Sequence, residues 1–112
     1  MEIDKAKWYL KDHAKTTMNN TFIEATNEVL DYLYELENKL NNKEKVYTID
    51  QEEIILKIIN LNKILDNVRK RKEQDYEKTI SPTKRAIKHH ELDLINERQR
   101  VYKEIIDLIR SL

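Results

Sequence analysis

The stretch Ile54–Leu65, IILKIINLNKIL, decides the fold. Eight of its twelve positions are apolar: Ile54, Ile55, Leu56, Ile58, Ile59, Leu61, Ile64 and Leu65. On a helix these apolar residues cover more than one face. A helix of that kind has to be covered by several neighbours, so it reads as the central element of an all-helical protein. Its start lies near Thr48 or Asp50, each followed three residues later by Gln or Glu, the pattern of a capping box. After Val68 its character changes to charged, and only Tyr76 and Ile80 remain to touch a core.

Three further helices surround it in the sequence. Upstream, Phe22, Ala25, Val29, Leu33, Leu36 and Leu40 recur at steps of three and four over five turns. That helix starts at Thr21, with Glu24 completing a capping box. The polar run Asn41-Asn42-Lys43-Glu44-Lys45 closes it as a loop. A shorter first helix runs from an Asp4 cap to Thr17, with Trp8, Leu10 and Ala14 as its apolar contacts. It ends in Thr16-Thr17-Met18-Asn19-Asn20, where short polar side chains compete with the backbone. Downstream, Ser81-Pro82 is a helix start, the serine as cap and the proline at the first helical position. The last apolar stripe is Ile95, Val101 or Tyr102, Ile105, Leu108 or Ile109, and Leu112. The expected fold is therefore all-α, a four-helix bundle-like single domain over residues 1–112, with a long central third helix and a Ser-Pro break before the last.

Composition narrows the function. The 112 residues contain no Gly and one Pro, so Gly-rich phosphate loops are excluded. Without Cys there is no disulfide, thiolate metal site or cysteine nucleophile, which fits a reducing cytoplasm. Lys+Arg and Asp+Glu both count 21, so no overall field favours nucleic acid or an anionic membrane. The N-terminus has no apolar signal core, and no apolar run approaches the roughly 20 residues of a bilayer span. A cytoplasmic location is expected.

Candidate chemistry is sparse. His89 and His90 are adjacent and point about 100° apart on a helix, so they share no metal unaided. His13 lies on another helix, and the histidines read as solvated. Glu28-Val-Leu-Asp31 and Glu104-Ile-Ile-Asp107 each place two carboxylates on one helix face. Helical Mg²⁺ pyrophosphatases use such pairs, but their Glu-x-x-Glu partner motif is missing. No catalytic residue, metal or cofactor is expected, and the chain reads as a non-enzyme.

The basic run Arg69-Lys70-Arg71-Lys72 is the third candidate. Between Arg69 and His90, eight Lys/Arg stand against three acids, a local excess of five positive charges. Arg69, Lys70, Arg71, Lys72, Lys84, Arg85 and Lys88 would form a basic docking surface. Phosphate contact through it would be salt-dependent. Four consecutive residues spread around a helix, however, and Tyr76 is the only nearby aromatic for base stacking. Protein docking is favoured over nucleic acid. The chain also ends on an apolar face, so Tyr102, Ile105, Leu108, Ile109 and Leu112 read as a surface continuing into a partner.

Three segments in order, FIEATNEVLDYLYELENKL, IILKIINLNKILDNVRKRKEQDYEKTI and HHELDLINERQRVYKEIIDLI, resemble the α-helical domain of archaeal GINS subunits. The matching positions are Phe22, Tyr32 and Leu36, then Ile64, Leu65, Arg69, Arg71 and Lys72, then Tyr102, Glu104, Ile105 and Ile109. The small β-rich domain usual in that family has no counterpart here. The Ser-Pro segment is also longer and more basic than the family's turn. The resemblance implies a scaffold that binds a second GINS-type subunit and bridges the MCM helicase to a Cdc45/RecJ-like protein, as a homo- or hetero-oligomer. Two alternatives stand beside it: a small phage or mobile-element protein that binds and inhibits a host protein, and a helical nucleic-acid-binding protein using residues 69–88.

Overall fold

The computed structural model describes residues 1–16, 20–44 and 48–112, with the side chains of 48–50 left aside. The expected loop residue Lys45, residues 17–19 at the expected end of the first helix, and the capping side chains of Thr48 and Asp50 lie outside the described set. Among the described residues, four helices follow one another: α1 (Ile3–Thr16), α2 (Asn20–Asn41), α3 (Thr48–Lys78) and α4 (Pro82–Ser111). No strand occurs among the described residues, so the fold is all-α. None of these helices is long and apolar enough to cross a membrane.

The helices run up, down, up and down. Lys7 on α1 pairs with Glu37 on α2 at 2.9 Å, and Lys57 on α3 pairs with Glu28 on α2 at 2.6 Å. Those pairings set α2 antiparallel to both neighbours. His13 of α1 meets Tyr102 of α4 edge to face, with ring centroids 5.5 Å apart, and Arg98 donates to Thr16 Oγ1. The bundle is thus closed by α1 against α4. The whole measures 57 × 24 × 21 Å, because α3 and α4 are about twice the length of α1.

The apolar periodicity explains the core. Val29, Leu33 and Leu36 on α2 are buried in one cluster with Ile54, Ile58, Leu61 and Leu65 on α3 and Val101, Ile105 and Ile109 on α4. Burying each such side chain stabilises by ~1.5–3 kcal/mol before ordering entropy. The breadth of apolar surface on α3 serves its two neighbours, α2 and α4, and leaves Leu56 pointing outward, 56 % exposed. On α4, Val101 and Tyr102 are both buried, and Ile106 joins them.

Several expectations are corrected. Trp8 is 61 % exposed, and Ala6 and His13 instead join Leu10 on the inner face of α1. Trp8 is two helical steps of about 100° from both Ala6 and Leu10, which puts it nearly opposite the inner face. His13 is therefore a core residue rather than a solvated one. Ile80 is 93 % exposed, because it sits in the turn beyond the end of α3. Leu40 lies at the open end of α2 and is exposed.

The helix ends follow local chemistry. α1 begins at Ile3, so Asp4 is in its first turn, where it reaches Lys7 at 3.2 Å rather than capping. α2 begins one residue before Thr21. Its far end closes with Glu44 N–H donating to Lys39 O and Lys43 N–H donating to Leu40 O. This is a Schellman closure with Lys43 at φ 57°, a position usually taken by Gly, which this chain lacks. Ser81 caps α4 in extended geometry (φ −63°, ψ 121°) with Pro82 following, as its position before proline requires, although its hydroxyl makes no cap bond.

Candidate docking arm

The buried side chains stop at Leu65 on α3 and resume at Ile95 on α4. Every residue from 66 to 94 is exposed or half-buried. Here α3 and α4 run on together as a two-helix arm that projects roughly 20 Å past the short helices. Its tip is the turn at Thr79, Ile80 and Ser81.

What holds the arm is polar. Lys72 donates to Glu91 Oε2 at 2.9 Å, and Lys88 reaches Asp75 at 2.6 Å and Thr79 Oγ1 at 2.8 Å. Near the tip, the Arg85 guanidinium lies 4.7 Å from the centre of the Tyr76 ring, which also contacts His89. At the base, Arg69 donates to Asp66 and, at 3.1 Å, to Gln99 Oε1. Gln99 Nε2 donates in turn to Asn62 O at 3.4 Å. Lys70 also pairs with Asp66, at 3.3 Å. The Lys70 ammonium, with Arg69 behind it, holds the Asp66 carboxyl below the usual range, and Lys88 does the same for Asp75.

The basic surface expected from the sequence is therefore spent largely inside the chain. Arg69, Lys70, Lys72 and Lys88 face acids, and Arg85 covers an aromatic ring. Arg71 and Lys84 are exposed and take part in no ion pair among the described residues. The acids that answer this run, Asp75 and Glu91, were not singled out by sequence reasoning. Their partners lie 13 and 19 positions away, beyond any helical repeat.

The expected apolar partner face is distributed differently. Tyr102, Ile105 and Ile109 are completely buried under the chain's own helices, which corrects their reading as open surface. Leu108 is half-buried and Leu112 is exposed. The apolar side chains that do stand open on the distal half of α4 are Ile87, 58 % exposed, and Leu94, 45 % exposed. Sequence reasoning missed both, although they stand at successive steps of seven before Val101.

The remaining candidates stay apart. Glu28 is tied to Lys57, and Glu104 and Asp107 line an open cleft beside Met1, Lys5, Leu108 and Ser111. His89 Nδ1 lies 3.3 Å from Asp93 Oδ2 on its own helix. Among the described residues, no three His, Asp or Glu side chains gather as a metal site. Inside the body, burial lowers the pKa of His13 to about 4, with Arg98 adding to the shift. Among the described residues, its Nδ1 has no hydrogen-bond partner. The neighbouring Tyr102 hydroxyl faces Thr26 without a sound hydrogen bond, and burial pushes its pKa up to about 12. Thr26 already donates to Phe22 O at 2.7 Å. No family model, no curated protein and no solved structure matches the chain.

Proposed function

We propose that the chain is a non-enzymatic assembly protein that works by helix packing, with the α3–α4 arm as its docking element. The observation that supports this reading is the contrast within one helical hairpin. Its proximal half supplies the core, whereas no residue of 66–94 is fully buried, only Val68 at its base packs against the core, and Ile87 and Leu94 are held open. A folded extension of this kind offers apolar anchors to a partner, and its ion pairs fix their spacing. Capture from the native source tests it. The intact chain should retain partners that an Ile87→Asp, Leu94→Asp variant loses, and equal recovery by both would defeat the reading.

The replication version of this role rests on the sequence resemblance. It expects a second GINS-type subunit, the MCM helicase or a Cdc45/RecJ-like protein among the captured partners. An inhibitor from a phage or mobile element would use the same arm, and the identity of the captured protein separates the two. Nucleic-acid binding is left with few unpaired cations on the arm. Its signature would be a steep loss of affinity with salt that Arg71→Ala and Lys84→Ala flatten.

A further inference from the structure

The outer face of the arm carries an apolar row that the chain itself leaves uncovered. Ile87, Leu94, Val101 and Leu108 recur at steps of seven along α4, so they share one face. In the body this side of α4 lies under α1, which follows it from Lys5, beside Leu108, to Thr16, bonded to Arg98. Val101 is accordingly buried and Leu108 half-buried. At Thr16 the cover ends. Leu94 and Ile87 continue the same row into solvent.

We infer that a second copy of this chain covers the row, its α4 docked antiparallel about a twofold axis passing Ile87. The inference rests on reading the arm as a docking element. It follows from continuity with the α1–α4 contact and from charge. In an antiparallel pair centred on Ile87, Lys84 stands opposite Glu91 of the second copy, and symmetry repeats the contact. Lys84 is exposed without an ion pair among the described residues, and Glu91 keeps 44 % of its side chain exposed while bonded to Lys72. The same register brings Leu94 level with the exposed Ile80 of the second copy.

Charge also rejects the neighbouring register. Centring the axis between His90 and Glu91 would set Ile87 against Leu94, but it would bring Lys84 towards Arg98 and Glu91 towards its own symmetry mate. Like charges in those places disfavour it. That register would also drive the tip of one arm into the end of α1 on the other. Centred on Ile87, the overlap spans residues 80–94, roughly 20 Å, and stops short of Arg98. So small a contact falls below the ~1,200 Å² of standard interfaces, and the dimer is weak and concentration-dependent.

The chain has no Cys, so Ile87→Cys introduces its only thiol. Under mild oxidation this variant should form a disulfide-linked dimer, because the axis brings residue 87 against itself. A Leu56→Cys variant, exposed on the body, should not. Analytical ultracentrifugation should show wild-type protein passing from monomer to dimer across the micromolar range and Ile87→Asp remaining monomeric. Lys84→Glu should raise the dissociation constant on the order of ten-fold. Circular dichroism checks that each variant is helical, and if Ile87→Asp fails to fold, the cross-linking comparison still decides. A monomer at every concentration, a dimer indifferent to Ile87→Asp, or equal cross-linking of the two cysteine variants overturns the dimer. None of these results touches the capture of other proteins by the arm, which has its own test.

Discussion

The two halves of the α3–α4 hairpin are built from the same two uninterrupted helices, yet they are held by different forces. Towards the body, Ile55, Ile58, Leu61, Ile95, Ile105 and Ile109 are buried in a four-helix core. Towards the tip, Lys72–Glu91, Lys88–Asp75 and the Arg85–Tyr76 stack join the helices, and no residue of 66–94 is buried. Exposed ion pairs contribute little because water screens them and the side chains lose freedom. Continuous helix is therefore no guarantee of uniform stability. The arm is expected to open locally while the body stays folded.

The largest test of this contrast is truncation of the core. Ile105→Ala should lower the urea unfolding free energy by about 2–5 kcal/mol, through lost burial and the cavity left behind. Ile87→Ala, measured in dilute solution, should stay within about 0.5 kcal/mol of wild type. Equal costs would erase the distinction between body and arm.

Acid sharpens it next. His13 has a folded pKa of about 4, below its ordinary 6.5, so folding favours the neutral ring. The stability it permits is complete above pH 6.5 and is lost as pH falls towards 4. The loss is on the order of 3 kcal/mol. Asp12 and Arg98 are the charged groups that bear on this ring. Unfolding measured across that range should show the slope, and His13→Phe should remove it.

Smaller effects probe each half separately. Tyr102→Phe removes a buried hydroxyl that has no sound hydrogen bond and should be neutral or stabilising by about 1 kcal/mol in thermal unfolding. In the arm, Lys88→Gln should speed amide exchange across residues 72–92 by a few-fold and leave the unfolding midpoint in place. High salt should act in the same direction, since it screens the pairs that Lys88→Gln removes. Protection unchanged by either would mean that packing, not charge, holds the arm.

Much of the body was legible because its signal is periodic. Val29, Leu33 and Leu36 repeat at helical spacing and are buried as that spacing implies. Trp8 and Ile80 misled because apolarity alone does not tell which direction a residue faces or whether a neighbour reaches it. His13 misled in the opposite sense, and Thr26 went unread. Thr26 is tolerated inside because its hydroxyl returns to Phe22 O, and His13 because Tyr9 and Tyr102 surround its ring. The arm's apolar row was obscured by the strongly charged residues between its members. The acids that neutralise the basic run lie too far along the chain for periodicity to connect them.

By itself, the sequence determined four helices, their order and the proline-marked turn between the last two, because caps, breakers and apolar repeats act within a few residues. Only the tertiary structure decided where the bundle ends and the arm begins. That boundary depends on how far α1 and α2 reach along α3 and α4, and it turns one continuous apolar row into buried core at Val101 and open surface at Leu94 and Ile87. Burial belongs to the neighbour that supplies it.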